Sequence, residues 1–216
     1  MNYTDNFNPT ISDDTVFDAI KTEKEKIGYY NLPFSETSSF KEYAKGVKQS
    51  NIVVIGIGGS TLGTYAIYKF LKHSRKLDKK LFFLETTDPI DIQSKIEAID
   101  LNDTLFIVIS KSGTTVETVS IFKYINSLVV CDKSNTVIVT ESDSKLKAYA
   151  DACDMKTFII PKNVGGRFSV FSAVGLLPLA IVGLDIDKLL EGAKKVHNDF
   201  FNQKEFYTRI LKKARF

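Results

Sequence analysis

Five short runs of consecutive apolar residues, separated by longer stretches of helical character, restrict the fold of this chain more than any other feature. The runs cover residues 52–55, 81–84, 105–109, 137–139 and 158–160. None of them alternates with polar residues, so we expect each to form a strand that is buried on both faces. Alternation of such strands with helices indicates an α/β protein, a three-layer sandwich in which helices cover both faces of a five-stranded parallel sheet.

Helical stretches are predicted from the spacing of apolar residues. Between and beyond the strands they cover residues 60–71, 89–99, 115–128, 142–152, 168–182, 186–200 and 205–214. Two more, 16–27 and 40–47, precede the first strand. We therefore expect three regions. Residues 1–50 contain a tail (1–12) and helices that pack on the α/β domain, which covers residues 51–184. Residues 185–216 form further helices.

Charge and cysteine content exclude several classes of protein. The net charge of +3, with 25% charged residues, does not indicate a nucleic-acid-binding protein. The longest apolar run, 174–181, is too short to cross a membrane, and the polar N-terminus does not resemble a signal peptide. Cys131 and Cys153 fit neither a metal site nor a disulfide framework. We expect them to be reduced, buried thiols of a cytoplasmic protein, and we expect His73 and His197 to be solvated near helix ends.

The loop after the first strand, residues 56–63, reads Gly-Ile-Gly-Gly-Ser-Thr-Leu-Gly. Gly58 and Gly59 allow a ligand to approach the backbone closely and tolerate a positive φ. Ser60 occupies the predicted N-cap of the following helix, where it offers a hydroxyl and an N–H group. Unpaired N–H groups at the positive end of a helix dipole bind anions, so this loop is a candidate phosphate site.

Two nucleotide-binding motifs are alternatives for the same loop. A dinucleotide-binding fingerprint that starts at Gly56 requires glycine at the sixth position, where this chain has Thr61. A P-loop requires a lysine directly after its last glycine, but none follows Gly63 before Lys69. Glu85 does end the second strand, at the place of a ribose-binding acid, so a dinucleotide-dependent oxidoreductase stays open as an alternative.

The loop after the third strand offers four hydroxyl groups and one cation in six residues. Its residues are Ser110, Lys111, Ser112, Gly113, Thr114 and Thr115. A phosphate dianion accepts several charge-assisted hydrogen bonds, which such a loop is able to donate. In the strand order 2-1-3-4-5, the loops after strands 1 and 3 flank one crevice at the switch point of the sheet. The two phosphate-binding signatures therefore predict this flavodoxin-like order.

A third segment, residues 164–169, follows the fifth strand and reads Val-Gly-Gly-Arg-Phe-Ser. The two glycines permit a sharp turn before Arg167, whose permanent positive charge is suited to stabilise an oxyanion. The sequence shows no Ser-His-Asp set, and no carboxylate has a sequence context that marks it as a general base.

Together the three segments resemble the glucose-6-phosphate isomerase family. Residues 55–63 are similar to its Gly-Ile-Gly-Gly-Ser-x-Leu-Gly loop, and residues 108–118 to its Ile-Ser-Lys-(Ser/Thr)-x-Thr-Thr-x-Glu-Thr segment. Residues 164–178 resemble its Val-Gly-Gly-Arg-(Tyr/Phe)-Ser signature and the Gly-Leu-x-Pro that follows. The resemblance covers roughly residues 51–193.

This resemblance implies a sugar-isomerase (SIS) domain with extra N- and C-terminal helices, which interconverts glucose 6-phosphate and fructose 6-phosphate through a cis-enediol in glycolysis and gluconeogenesis. It implies that Arg167 stabilises the enediolate and that no cofactor or metal takes part. The residues that would hold the sugar phosphate are Gly58, Gly59, Ser60, Ser110, Lys111, Ser112, Gly113, Thr114 and Thr115.

The family pattern continues beyond this sequence into a second SIS domain that carries the base glutamate, and its members form homodimers. We therefore expect this chain to be the N-terminal, phosphate-binding part of such an enzyme and to be inactive alone. A non-catalytic SIS module that senses phosphosugars is the alternative, although Arg167 favours an isomerase. We do not expect the chain to bind nucleic acid or a membrane.

Overall fold

The computed structural model describes residues 14–74 and 76–214, so the predicted loose tail, residues 1–12, lies outside the described residues. Its centre is a sheet of five parallel strands in the order β2-β1-β3-β4-β5. The strands are β1 (Asn51–Ile55), β2 (Lys80–Leu84), β3 (Thr104–Ile109), β4 (Thr136–Thr140) and β5 (Lys156–Ile159). The predicted parallel sheet and its strand order are confirmed.

Strand burial follows the position of each strand in the sheet. In the central pair β1 and β3, Ile52 pairs with Leu105 and Val54 with Ile107, and all four side chains are buried. The prediction that every strand is buried on both faces is wrong for β5, where Ile159 is 44% exposed. β5 forms an edge of the sheet, and its buried Phe158 packs on one face only, against rings from the N-terminal helices.

Helices cover both faces of the sheet. They are α1 (Asp14–Lys24), α2 (Ser38–Gly46), α3 (Leu62–Leu71), α4 (Pro89–Glu97), α5 (Val116–Leu128), α6 (Lys145–Ala152), α7 (Ala173–Ile181), α8 (Ile186–Phe201) and α9 (Glu205–Ala214). One face packs against α2, α3, α7 and α8, and the other against α4, α5 and α6. The three predicted layers are thereby confirmed.

Two of the helices that begin later than the spacing of apolar residues predicts, α3 and α7, follow a 3-10 turn. Gly58–Ser60 form a 3-10 turn, so Ser60 is not the N-cap that we expected and α3 begins at Leu62. Gly166–Phe168 form a second 3-10 turn, and α7 begins only at Ala173. In both places glycine permits a tight turn that hydrophobic periodicity does not register.

Two further expectations about side chains are corrected. His197 lies within α8 and is half-buried between the rings of Phe34 and Phe201, with centroids at 4.9 and 4.6 Å. This burial lowers the pKa of His197. Cys131 is buried as expected, and burial raises the pKa of its thiol, but Cys153 is exposed. None of the described helices combines the length and apolar character that a membrane-spanning helix needs.

Candidate functional site

A cavity of about 610 Å³ opens at the carboxyl edge of the sheet, where the three glycine-containing segments come together. We call this cavity the crevice, and it is lined by Ile57, Gly59, Ser60, Lys111, Ser112, Thr115, Glu141, Gly165, Gly166, Arg167 and Phe168. The order β2-β1-β3 explains this meeting, because the loops after β1 and β3 diverge to opposite faces at the switch point.

The first loop and the turn that carries Arg167 are in backbone contact. A Cβ atom at Gly59 would lie 2.5 Å from the carbonyl carbon and oxygen of Gly166 and 2.9 Å from the Arg167 nitrogen. Only glycine fits this approach without movement of one of the two backbones. Gly58, with φ of +57°, adopts the left-handed conformation at the start of the same turn. The close contact fixes the distance between the first loop and Arg167.

In the second loop, hydroxyl groups are arranged around the beginning of α5. Ser110 is buried, and its Oγ donates to Thr115 Oγ1 at 3.0 Å. Ser112 Oγ accepts from the Thr114 N–H at 3.3 Å and from Thr114 Oγ1 at 3.2 Å. Gly113 has φ of +69° and lies against Leu146, on the side away from the crevice. Ser112 and Thr115 therefore face the crevice, while Ser110 and Gly113 shape the loop.

The helices that follow β1 and β3 lack a side-chain N-cap, whereas those that follow β2 and β4 have one. Asp88 Oδ1 caps α4 by accepting from the N–H groups of Ile90 and Asp91, at 2.8 and 3.1 Å. Ser144 Oγ caps α6. Among the residues that the structure describes, no side chain caps α3 or α5. Uncapped N–H groups at two helix N-termini beside one crevice are suited to bind an anion.

Lys111 and Glu141 form an ion pair on the wall of the crevice. Lys111 Nζ lies 3.2 Å from Glu141 Oε1 and donates to the carbonyl oxygen of Lys162 at 2.9 Å. The two side chains are 30% and 25% exposed. Glu141 was not predicted from the sequence, although it directly follows β4 and therefore stands at the same sheet edge as the predicted loops. That position was the signal that could have identified it.

Arg167 lies in the 3-10 turn after β5 with its guanidinium carbon 5.9 Å from the centre of the Phe168 ring. The Phe168 ring in turn stacks on Tyr29, with centroids 4.9 Å apart. Within residues 14–74 and 76–214, no carboxylate pairs with Arg167, and the residue is exposed. An unpaired guanidinium on a crevice wall is available to an anionic ligand.

The structure brings most of the predicted site residues to one place. Gly59, Ser60, Lys111, Ser112, Thr115 and Arg167 line the crevice. The other predicted residues, Gly58, Ser110, Gly113 and Thr114, do not line it. Besides Glu141, the crevice contains Ile57 and Phe168, which we did not predict. Across the described part of the chain, no group of three His, Cys, Asp or Glu side chains is arranged to hold a metal ion.

Comparison with known proteins gives consistent matches over most of the chain. The family model for phosphoglucose isomerase matches residues 9–207. A glucose-6-phosphate isomerase of Campylobacter jejuni is 40% identical over 201 residues, which are 87% of this chain and 48% of the relative. The chain thus spans about half the length of this relative.

Two solved structures match most of this chain. A glucose-6-phosphate isomerase from Chlamydia trachomatis superposes with a TM-score of 0.67 and 28% identity, over 90% of this chain and 37% of that one. A tagatose-6-phosphate ketose/aldose isomerase from Escherichia coli gives a TM-score of 0.53 at 16% identity, over 87% of this chain and 48% of that one. The second likeness shows the SIS fold alone. On the family match and the fold, this chain belongs to the phosphoglucose isomerase family.

Proposed function

We propose that the crevice binds the phosphate of a hexose 6-phosphate and that this chain serves the interconversion of glucose 6-phosphate and fructose 6-phosphate. The observation that carries the proposal is that the loops leading into two uncapped helices, α3 and α5, line one crevice. A dianionic phosphate supplies acceptors for several N–H groups at once and is favoured by both helix dipoles. The relatives named glucose-6-phosphate isomerase support this choice of substrate.

The phosphate contacts follow from the groups that face the crevice. Within the described residues, no oxygen accepts from the backbone N–H of Ser112 or Thr115, so both remain available to a ligand. The Thr115 hydroxyl accepts from Ser110, which leaves its own proton for a phosphate oxygen. Ser60 donates from the first loop and Lys111 adds a positive charge, while Gly59 gives the anion room. Ser110 and Thr114 support this arrangement through hydrogen bonds to Thr115 and Ser112, and Gly58 and Gly113 through their left-handed backbone conformations.

We assign Arg167 to the reacting end of the sugar. Its turn touches the first loop through Gly59, so its backbone is held close to the phosphate site. The isomerisation passes through an enediolate, on which negative charge develops, and a pre-placed cation stabilises that charge in the transition state. Neither a cofactor nor a metal is required for this role.

We place the general base in the part of the relatives that this chain does not match. The crevice has one carboxylate, Glu141, and its Oε1 already pairs with Lys111. A positioned general base contributes roughly 10²–10⁴-fold to such a reaction, so we expect the 216-residue chain alone to be nearly inactive. In the cell we place the activity in the cytoplasm, where Cys131 and Cys153 stay reduced, and in a homodimer of a longer chain.

Isothermal titration calorimetry on the isolated chain tests the binding step. We expect glucose 6-phosphate and fructose 6-phosphate to bind in the micromolar to millimolar range and glucose not to bind. NADH serves as the probe for the oxidoreductase alternative. Tight binding of NADH together with indifference to hexose phosphates would contradict the proposal.

A coupled assay for isomerisation tests the catalytic step. We expect turnover by the parent protein in which this sequence occurs and almost none by the 216-residue chain. Hexose-phosphate binding without turnover in the parent protein would favour the phosphosugar-sensing module instead. Substantial turnover by the isolated chain would show that the base is among its own residues.

A further inference from the structure

We propose that Glu141 is a positioning residue, which acts on the phosphate site through Lys111. The inference rests on the proposed function, because it concerns how the same crevice holds a hexose 6-phosphate. Glu141 carries negative charge beside a site for an anion, an arrangement that weakens binding unless the charge has another task. Its contacts indicate what that task is.

The first contact is the ion pair with Lys111. At 3.2 Å, and with both side chains less than a third exposed, the pair is more protected than the neighbouring Lys162–Asp143 pair, whose side chains are 65% and 70% exposed. A lysine side chain has several rotatable bonds and loses much conformational freedom when it is held in one place. Because Glu141 holds the ammonium on the crevice wall, this freedom is already lost before the ligand binds.

The second set of contacts ties the two residues together through the backbone. The Glu141 N–H donates to the Lys111 carbonyl oxygen at 3.2 Å. The hydroxyl of Thr140, the residue before Glu141, donates to the Ser110 carbonyl oxygen at 2.6 Å. These bonds do not involve the carboxylate, so a glutamine at position 141 leaves the junction of the two loops intact.

The third contact places the ammonium between two loops. Lys111 Nζ also donates to the Lys162 carbonyl oxygen at 2.9 Å. Lys162 lies in the segment after β5, five positions before Arg167. The ammonium thus lies where the loop after β3 approaches the segment that carries Arg167. Held there, it strengthens the anion site, and its charge offsets the negative charge of Glu141 as seen by the ligand.

A double-mutant cycle on the isolated chain, with glucose 6-phosphate as the titrant, tests the inference. In the wild-type background we expect Glu141→Gln to weaken binding about 5-fold, because Lys111 becomes mobile. In the Lys111→Met background we expect the same substitution to tighten binding, because it then removes only an unpaired like charge. This change of sign is a result that a purely structural role of Glu141 does not produce.

The matched control is Asp143→Asn. Asp143 lies two residues after Glu141, and the substitution removes an equal charge from an exposed ion pair. We expect it to change the dissociation constant less than 2-fold, since that pair is screened by water. Thermal denaturation of each variant verifies that it is folded at the temperature of the titration.

The outcomes separate the inference from the function on which it rests. Tighter binding by Glu141→Gln in the wild-type background would overturn the inference, because Glu141 would then only repel the anion. Weaker binding in both backgrounds would also overturn it, because Glu141 would then act without Lys111. Failure of the wild-type chain to bind glucose 6-phosphate would overturn the proposed function and the inference with it.

Discussion

The junctions after β1 and β3 differ from those after β2 and β4 in how their helices begin. Asp88 and Ser144 cap the helices after β2 and β4, so these helix ends are satisfied within the protein. Within the described residues, the helices after β1 and β3 have no side-chain cap, and the loops that lead into them line the crevice. An N-cap contributes about 1 kcal/mol to stability. The chain forgoes this contribution at the two junctions where a bound anion can replace the cap.

The position of the uncapped pair in the sheet follows from topology. β1 and β3 are neighbours, and the helices that follow them lie on opposite faces of the sheet. The two junctions therefore form the two walls of one opening. On our proposal, capped junctions contribute mainly to stability, and uncapped junctions mainly to binding. Substitutions in the two kinds of junction test this distinction.

The largest effect is expected for Gly59→Ala, in the uncapped junction after β1. The added Cβ would lie 2.5 Å from the Gly166 carbonyl group, so the two backbones must separate. We expect roughly a 100-fold loss of affinity for glucose 6-phosphate, since misplacement by about 1 Å disrupts a preorganised site. Calorimetry measures the loss.

Gly192→Ala is the matched control, because a Cβ atom at this position of α8 meets nothing within 4 Å. It should leave affinity unchanged. Equal affinity of the Gly59→Ala variant and the wild type would show that the contact between the first loop and the Arg167 turn does not shape the site.

A smaller loss is expected for Thr115→Val, at the beginning of α5. The substitution keeps the shape of the side chain but removes a hydroxyl that is available to the phosphate. One hydrogen bond to a charged group is worth about 1.5 kcal/mol or more, so we expect roughly 10-fold weaker binding. Thr87→Val, in the capped junction after β2, is the control and should bind glucose 6-phosphate as the wild type does. A loss of the same size in both variants would contradict the distinction between the junctions.

Sequence patterns predicted the fold well where the apolar character of a segment matches its burial in the sheet. The apolar runs identified all five strands, and the two phosphate-binding signatures led to the strand order because they had to share one opening. The exposure of Ile159 was missed although the predicted order places β5 at an edge of the sheet, since residues 158–160 are as apolar as a central strand. Tertiary position decided the exposure of Ile159.

At the site, the sequence identified the loops but not all their contacts. The role of Ser60 as an N-cap was predicted wrongly, because the left-handed conformation of Gly58 begins a 3-10 turn before the helix. Glu141 was missed because its partner, Lys111, is 30 residues away and only the pairing of β3 with β4 brings them together.

In the capped junction after β2, Asp88→Ala is expected to reduce stability and not affinity. It removes the acceptor for two N–H groups of α4. We expect the free energy of unfolding to fall by about 1 kcal/mol, as measured by urea denaturation, with an unchanged dissociation constant for glucose 6-phosphate. Weaker binding by the folded variant would mean that this junction also belongs to the site.

The smallest effect concerns the dependence of stability on pH at the junction after β4. Hydrogen bonding and ion pairing with Lys162 lower the pKa of Asp143. The carboxylate therefore stabilises the fold above its unfolded pKa, and this contribution is lost as the pH falls through the lower, folded pKa. We expect Asp143→Asn to make unfolding slightly less sensitive to acid below about pH 4, in urea melts at several pH values. A steeper acid dependence in the variant would contradict this assignment.

The central claim is that the two uncapped junctions bind one phosphate together. An amide NMR titration of the ¹⁵N-labelled chain with glucose 6-phosphate, and with glucose as the control, tests it most directly. We predict that resonances of Gly59, Ser60, Ser112 and Thr115 shift with a single dissociation constant, that those of Ile90 and Lys147 in the capped helices stay in place, and that glucose causes no shift. Shifts confined to one junction, or different dissociation constants at the two junctions, would contradict the account.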